Sequence, residues 1–282
     1  MLYGNVVRDK KGALKSIDGK RVPNHLKTTR IPPAWTDLEV DPSPGATLIA
    51  MGTDVKGRRQ YLYSPEHFAY AKNEKFKKVR KLIEEHEDVR SQIEEDINDH
   101  STDPATMECA LVSYLIYETG IRPGSNAETL GDVQAYGATT LQLRHVKPCA
   151  RGVRLQFIGK KGVKQNVLVT NPYLVKELIF RKGLTTAYST PVFDCPAHKL
   201  RVYIKTLGTQ EYNPKDLRTM RGTLLAIDLI SWRKRIPATK KGRKEIVNNM
   251  LDKVAGQLGN TRAVARSAYV DPTVYEDFTE QE

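Results

Sequence analysis

The chain has 282 residues, enough for one large domain or two smaller ones, and its 45 Lys and Arg against 33 Asp and Glu give a formal net charge of +12. This surplus favours a polyanionic partner such as nucleic acid, although the same charge also serves solubility or binding to another acidic molecule. Three widely spaced cysteines, no apolar run of about 18 residues and no signal-peptide pattern argue against a zinc or disulfide framework, a membrane protein and a secreted protein. We therefore expect a soluble, intracellular protein.

The N-terminal region differs in composition from the rest of the chain. Residues 1 to about 66 are rich in Pro and Gly and contain short alternating segments at 47–50 and 59–63. Such segments, bounded by turn residues, predict short β-strands. The sequence therefore predicts a small β-rich N-terminal domain, which we assign to residues 1–68.

A helical period begins near residue 68. Apolar residues recur every three or four positions over 76–97, with charged residues between them, which predicts one amphipathic helix. A second helix is predicted to begin at Pro104 and to end at Gly120. Its residues 109–117 are apolar nearly all round, which indicates a helix buried in a core.

The pattern then changes to β and back to helix. One strand is predicted at 139–146, and a hairpin at 152–158 and 165–170 around a Gly-Lys-Lys-Gly turn. Further helices are predicted at about 172–182, 196–207, 214–229, 239–258 and 262–269. The predicted fold class is α+β: the small β-rich N-terminal domain, and a larger, mostly α-helical domain at residues 69–282 that carries a three-stranded β insert.

The segment GTDVKGRRQYLY at residues 52–63 combines cations with aromatic side chains. Because alternate side chains of a strand share a face, Arg59, Tyr61 and Tyr63 point one way and Arg58 the other. Arg and Lys can meet phosphates, and Gln can pair with a base edge in the major groove. An exposed strand whose tyrosines support a small core explains the composition equally well. The candidate DNA-binding residues are Lys56, Arg58, Arg59, Gln60, Tyr61 and Tyr63.

The candidate chemistry in the second domain is a set of cations and one tyrosine. No metal-ligand cluster, nucleotide-binding loop or Ser-His-Asp spacing is present in the sequence. The candidates are Arg122 in TGIRPG, Lys160 in GKKG, Arg218 in KDLRT, Asn260 in LGNT, and Tyr269 nine residues after Asn260. Each signal is weak alone, since an isolated Arg is usually a surface charge and most of the 13 tyrosines serve packing.

The order of these segments resembles the small type IB topoisomerases of poxviruses and bacteria, and the likeness covers nearly the whole chain. The matching pieces, in family order, are IPPAWTDLEV, GTDVKGRRQYLY, the loop around Arg122, YGATTL, GKKG, KDLRT, and LGNT followed by Tyr269. Tyrosine recombinases share the Arg, Lys, Arg, Tyr order but lack the N-terminal β domain and its basic segment. The combination is therefore more specific than any one motif.

The resemblance implies a role for each candidate. Tyr269 attacks a DNA phosphodiester and becomes joined to the 3′ phosphate, while Arg122 and Arg218 hold the non-bridging oxygens. Lys160 protonates the departing 5′ oxygen. Asn260 stands where poxvirus members have His and where the bacterial branch has Asn. Asn can donate a hydrogen bond to a phosphate oxygen but cannot be cationic.

Elementary chemistry supports these roles independently. A phenol with a pKa near ~10 is a poor nucleophile at neutral pH and needs nearby positive charge. Planar guanidinium groups suit the equatorial oxygens of a phosphoryl transition state. A departing alkoxide needs a proton, which a Lys can supply when other cations lower its pKa. No metal, cofactor or ATP is expected, because a phosphotyrosine linkage conserves the energy of the broken bond.

The resemblance also implies a partner and a mode of binding. The partner is double-stranded DNA, and the protein is expected to be a monomer whose two domains form a clamp around the duplex. The domains are expected to be joined by an extended linker with its hinge at residues 63–73. The expected place of action is the bacterial cytoplasm or, for a viral protein, the virion and the replication compartment of the host cell.

Two other functions fit part of the sequence. A tyrosine recombinase or integrase would use the same Arg, Lys, Arg and Tyr residues to exchange strands at defined sites. A non-catalytic basic DNA-binding protein would need the net charge of +12 but not Tyr269.

Overall fold

A computed structural model describes residues 4–124, 134–231 and 237–278. Contacts within the chain group into two compact units, Met1–Phe76 and Lys77–Glu282. Helices and antiparallel sheets both occur, which confirms the mixed helical and β character that the sequence predicts.

The described part of the first unit is built on an antiparallel sheet of six strands in the order β3-β2-β1-β4-β5-β6. The strands are β1 (Gly4–Arg8), β2 (Leu14–Ile17), β3 (Lys20–Arg21), β4 (Thr36–Val40), β5 (Leu48–Thr53) and β6 (Arg59–Tyr63), with a short helix, α1, at Asn24–Lys27. The strands predicted at 47–50 and 59–63 are confirmed as β5 and β6. A small apolar core, which includes Ile17, Val40 and Ala50, lies under the sheet.

Helix α2 (Pro65–Glu84) follows β6 after a single residue. Pro65 takes the first helical position, where its fixed φ is favourable, and the Ser64 hydroxyl accepts a hydrogen bond from the His67 amide at 3.2 Å. The extended linker expected over residues 63–73 is therefore wrong, because a capped helix occupies most of that segment.

The amphipathic pattern over residues 76–97 belongs to two helices rather than one, α2 and α3 (His86–Asn98). Glu85 separates them and has φ −105° and ψ 17°. Its carboxylate is only 6% exposed and accepts hydrogen bonds from the Thr209 amide at 3.2 Å and from the Tyr212 hydroxyl. The apolar period does not reveal this break because Glu85 is turned inward by polar partners far away in sequence.

Helix α4 (Pro104–Thr119) is the buried helix that the sequence predicts. The Asp103 side chain caps it by accepting from the amides of residues 105 and 106 at 3.0 and 3.1 Å. Gly120 ends it with φ 67°, a left-handed conformation that glycine adopts without strain. All of residues 109–117 are buried, so α4 lies inside the core and presents its C-terminal end to the site described below.

The β insert is a three-stranded antiparallel sheet of β7 (Val146–Cys149), β8 (Gly152–Ile158) and β9 (Lys164–Val169). The predicted hairpin is confirmed as β8 and β9. The strand predicted at 139–146 is wrong, because that segment forms two 3₁₀ turns. The Thr140 hydroxyl accepts from the Gly137 amide, and the His145 ring accepts from the Gln142 amide, so side chains satisfy amides that a strand would pair.

The remaining helices confirm the predicted positions to within three residues. They are α5 (Pro172–Gly183), α6 (Ala197–Ile204), α7 (Pro214–Ser231), α8 (Lys240–Leu258) and α9 (Arg262–Ala268). Two apolar cores fill the second unit, one around α4 and one among α7, α8 and α9. Within the described ranges, no helix combines the length and the apolar character needed to cross a membrane.

Candidate active site

Tyr269 lies at the C-terminal end of α9, where its side chain is 9% exposed. Its carbonyl oxygen accepts from the Thr223 hydroxyl of α7 at 3.3 Å. Gly222 lets the two segments approach, since a Cβ at that position would lie 2.6 Å from the Tyr269 carbonyl oxygen. Helix α7 therefore fixes the backbone of Tyr269, and a larger residue at 222 would displace it.

Arg218, on the same helix, places its guanidinium carbon 4.7 Å from the centre of the Tyr269 ring. The side chain is 2% exposed and donates to two backbone carbonyls, those of Gly120 and of Leu258, the latter at 2.6 Å. It forms no ion pair with any residue that the structure describes. Neutral acceptors thus hold a buried guanidinium whose charge is offset by no carboxylate of the described residues.

The electrostatic effect of this arrangement falls on the Tyr269 phenol. Burial raises the pKa of Tyr269, whereas the charge and close approach of Arg218 and the charges of Arg122 and Lys215 lower it. The lowering effects together are larger, so the pKa of Tyr269 lies below its ordinary value. Burial lowers the pKa of the Arg218 guanidinium, which nevertheless stays protonated at neutral pH. The surroundings therefore favour a phenolate, the nucleophilic form of Tyr269.

Asn260 joins the same cluster through Arg122. The guanidinium of Arg122 donates to Asn260 Oδ1, and because Arg can only donate, this contact fixes which end of the amide faces it. The other end, Nδ2, is buried and has no hydrogen-bond partner among the described residues. A buried donor without a partner costs about 1–3 kcal/mol, so a ligand oxygen there would relieve that cost.

Lys160 lies apart from this contact network. It is exposed at the tip of the β8–β9 hairpin, in a tight turn where Lys161 has φ 63° and Gly162 φ 74°. Its amine forms no hydrogen bond or ion pair with another described residue. The structure thus brings together Tyr269, Arg218, Arg122 and Asn260, and leaves Lys160 on a hairpin tip.

The site contains supporting residues that motif order does not reveal. Lys215 and Gly222 lie three residues before and four residues after Arg218, on the same face of α7. Helical spacing from Arg218 could therefore have predicted both from the sequence. Gly137 is another: a Cβ there would lie 2.6 Å from the Arg122 carbonyl oxygen, which accepts from the Ala138 amide. The YGATTL segment therefore packs directly against the Arg122 loop.

The polar groups of the site suit an anion with several oxygens. The guanidinium groups of Arg218 and Arg122 act on the Tyr269 phenol, and Arg122 also binds the Asn260 amide. Elsewhere in the second unit, a cleft of about 680 Å³ is lined in part by the exposed cations Arg144, Lys147 and Lys164. His145 also lines it, but burial, and then the charges of Arg144 and Lys147, lower its pKa to about 4 and leave it neutral at pH 7. In the described ranges, no three His, Cys, Asp or Glu side chains are grouped to hold a metal ion.

The basic residues of the N-terminal segment lie on β6 and the turn before it, and they have acidic partners. Arg58 pairs with Asp54 at 2.6 Å, and Arg59 pairs with Glu39 of β4 in the same sheet. The Gln60 amide also donates to Asp54, at 3.0 Å. The hydrogen bond and charge of Arg58 lower the pKa of Asp54 to about 2, so this carboxylate is ionised at neutral pH.

The aromatic residues of the same segment differ in exposure. Tyr61 is 50% exposed and points away from the small core, whereas the Tyr63 ring stacks on His67 at 4.7 Å and meets Phe68 edge-on. Lys56 is exposed in the β5–β6 turn. Tyr61 therefore presents an open aromatic face, whereas Tyr63 packs within its own unit.

Comparison with known proteins identifies the family. The family model for the catalytic core of eukaryotic DNA topoisomerase I matches residues 66–281. DNA topoisomerase 1B of Acanthamoeba polyphaga mimivirus is 30% identical over 258 residues, which cover 87% of this chain and 76% of that protein. DNA topoisomerase 1 of rabbit fibroma virus (strain Kasza) is 27% identical over 270 residues, covering 90% and 81%.

A third relative has a similar span. DNA topoisomerase 1B of vaccinia virus (strain Copenhagen) is 24% identical over 292 residues, covering 96% of this chain and 84% of that protein. These matches do not favour a recombinase or a non-catalytic DNA-binding protein. The chain belongs to the type IB DNA topoisomerase family.

Proposed function

We propose that this protein relaxes supercoiled duplex DNA by cutting one strand, letting the duplex swivel and resealing the break, with Tyr269 as the nucleophile. The observation that carries the assignment of Tyr269 is its phenol, packed against a buried guanidinium that no described carboxylate neutralises. Any of the 13 tyrosines could be an ordinary packing residue, but a lowered pKa beside uncompensated cations is typical of an activated nucleophile.

The reaction exchanges one phosphoester for another. The Tyr269 phenol loses its proton to solvent, and its oxygen forms a bond to phosphorus as the bond from phosphorus to the 5′ oxygen breaks. Lys160 gives a proton to that oxygen, which leaves as a 5′ hydroxyl. Resealing reverses the step, with the 5′ hydroxyl attacking and Tyr269 leaving. One phosphoester is present throughout, so the cycle needs no ATP.

The charge that develops on the phosphoryl oxygens would be met by Arg122, Arg218 and Asn260. The Nε of Arg218 and the Nδ2 of Asn260 are both buried donors without a partner among the described residues, so both are available to a phosphate. A donor of this kind, already in place before the reaction, is worth about 10²–10³ in rate. Asn260 would therefore act as a neutral donor oriented by Arg122, which needs no imidazole at that position.

Binding to DNA would involve the N-terminal strand as well. We assign Lys56, Arg58, Arg59, Gln60, Tyr61 and Tyr63 to duplex contacts. The family model begins at residue 66, but the viral relatives align over 87–96% of the chain, which supports a shared N-terminal part. On DNA, a phosphate would replace Asp54 as the partner of Arg58, an exchange of one exposed ion pair for another.

The organisation follows from the same proposal. A DNA-binding domain at residues 1–68 and a catalytic domain at 69–282 would act in one monomer as a clamp around the duplex. The viral relatives support the virion and the replication compartment of a host cell as the place of action, in preference to a bacterial cytoplasm.

A plasmid assay tests the proposal. The wild-type protein should relax supercoiled plasmid in EDTA without ATP. It should not exchange strands between two plasmids. Tyr269→Phe, which keeps the ring against Arg218, should abolish relaxation while its affinity for duplex DNA changes less than about twofold. Relaxation by the Phe variant would overturn the assignment of Tyr269, and site-specific strand exchange would indicate a recombinase.

A further inference from the structure

Helix α8 ends at Leu258, and residues 258–260 form a turn that several parts of the second unit contact. The Leu258 carbonyl accepts from Arg218 of α7 at 2.6 Å, and Asn260 Oδ1 accepts from Arg122 after α4. Gly259, between them, has φ 59°. This turn therefore links two of the proposed phosphate-binding residues.

Gln165, on β9 of the hairpin, makes the third contact with this turn. A Cβ at Gly259 would lie 2.2 Å from Gln165 Oε1 and 2.4 Å from Nε2, so the amide of Gln165 is packed against the bare Cα of that glycine. The same side chain fills the space beside Gly159, where a Cβ would lie 3.0 Å from Gln165 Cγ. Its Nε2 also donates to the Val163 carbonyl, at 3.4 Å. Gln165 therefore lies between two glycines, one of which directly precedes Lys160.

We propose that Gln165 is a positioning residue: it seats the Lys160 hairpin against the 258–260 turn and thereby sets where the Lys160 amine meets the leaving oxygen. The inference rests on the proposed function of Lys160 as the acid. The side chain of Lys160 is bonded to no other described residue, so its position depends on the backbone of the hairpin. Gln165 connects that hairpin to the turn that carries Asn260, because its amide packs against Gly259.

A merely structural role predicts a different outcome from a positioning role. Gln165 is a half-buried polar side chain, so its loss removes little apolar contact and should lower the melting temperature by only a few degrees. Its loss should instead weaken proton delivery to the 5′ oxygen, because a displacement of about 1 Å can cost as much as about 100-fold in rate.

The test compares two DNA substrates in single-turnover cleavage by the full-length protein, one with the natural 5′ oxygen and one with sulfur in its place. A thiol has a pKa near 8.5, so a departing thiolate needs no acid, unlike an alkoxide. The variants are Lys160→Ala, Gln165→Ala, Gln165→Met and the control Asn166→Ala, whose side chain projects to the other face of β9.

Gln165→Ala should cleave the oxygen substrate roughly 10- to 100-fold more slowly than wild type, and the sulfur substrate within about threefold of wild type. Lys160→Ala should show the same pattern with a larger loss. Gln165→Met, which fills the same space, should keep most of the activity, and Asn166→Ala should match wild type.

Equal slowing of Gln165→Ala on both substrates, or no slowing on either, would overturn the inference. Failure of the acid role of Lys160 and failure of the positioning role of Gln165 give different results. If sulfur does not rescue Lys160→Ala, the acid role of Lys160 is wrong, and the inference falls with it. If sulfur rescues Lys160→Ala but not a slowed Gln165→Ala, the acid role stands and only the positioning role is overturned.

Discussion

The basic residues of strand β6 and the basic residues around Tyr269 differ in how their charge is balanced. In the first unit, Arg58 in the turn before β6 pairs with Asp54, and Arg59 of β6 pairs with Glu39, both at the surface. Around Tyr269, the buried Arg218 is held by backbone carbonyls and has no carboxylate partner among the described residues. Both sets look alike in the sequence as positive charge, but among the described residues Arg58 and Arg59 have acidic partners and Arg218 has none.

This difference separates a binding surface from a reaction centre. Exposed ion pairs are worth about 0–1 kcal/mol, so a phosphate can replace Asp54 or Glu39 at little cost. A buried guanidinium without a counter-charge destabilises the folded protein unless an anion occupies the site. We infer that the fold tolerates this cost at Arg218 because the charge acts on the phosphoryl group during the reaction.

The largest expected difference between the two regions is in the rate of cleavage. Arg218→Ala should lower single-turnover cleavage about 10³-fold, because it removes transition-state donors and lets the pKa of Tyr269 rise. Arg218→Lys should recover little, since an ammonium is a compact point charge and lacks the planar fork whose separate nitrogens reach the two carbonyls and the phosphate. Arg58→Ala, the matched removal of a cation from the turn before β6, should change the rate at saturating protein by less than about threefold. Equal losses for Arg218→Ala and Arg58→Ala would contradict the comparison.

A smaller effect is expected at Asn260, which is neutral. Asn260→Ala should slow cleavage about 10- to 100-fold by removing the Nδ2 donor. Asn260→Asp keeps an acceptor for Arg122 but replaces the donor with a negative charge, so it should be slower than the Ala variant. Rapid-quench measurement on one nicked duplex would rank the two, and a faster Asp variant would show that Nδ2 does not face the phosphate.

For Arg58, in the turn before β6, the expected effect is on affinity for duplex DNA rather than on the rate of cleavage. Arg58→Ala should weaken duplex binding severalfold and reduce the slope of log K against log salt by about 1, the value for one lost phosphate contact. Asp54→Asn should strengthen binding modestly, because it frees Arg58 from its internal partner. Titration at several salt concentrations measures both, and an unchanged slope for Arg58→Ala would remove this residue from the interface.

The smallest expected effect is a shift in pH dependence at Lys215. Cleavage uses the phenolate, so its rate should rise with pH until the pKa of Tyr269 is passed, and that pKa lies below its ordinary value. Lys215→Gln removes one of the charges that lower it, so the inflection should move to higher pH and the rate at neutral pH should fall about two- to fivefold. The exposed Lys176→Gln on α5 serves as the control. A shift to lower pH in Lys215→Gln would contradict the electrostatic account.

Much of the fold follows from local patterns in the sequence. The Asp103 cap and Gly120 mark the two ends of α4 in the sequence, because each acts on the adjacent helical turn. Alternating apolar and polar residues on both sides of Gly-Lys-Lys-Gly predict the hairpin. The errors come from contacts between distant residues. Glu85 breaks a helix because Tyr212 and Thr209 bind it, and neither is visible in the local period.

The same distinction applies to the site. Motif order assembles the candidates Arg122, Arg218, Asn260 and Tyr269, but it does not show which cations are balanced by acids. The contact of Gln165 with Gly259 joins residues far apart in the chain, and no local pattern indicates it. Whether a cation is paired with an acid, and which distant residues pack together, are properties of the fold. These properties distinguish the site from other basic segments.

The central claim is that Tyr269, beside an uncompensated Arg218, is the group that breaks the DNA strand. Its most direct test is to trap the protein on a duplex whose cut strand loses its short 5′-hydroxyl fragment, digest the complex and map the modified peptide by mass spectrometry. We predict one adduct, a 3′ phosphate of DNA joined to the Tyr269 phenol oxygen. An adduct on any other residue, or a link to a 5′ phosphate, would contradict the account.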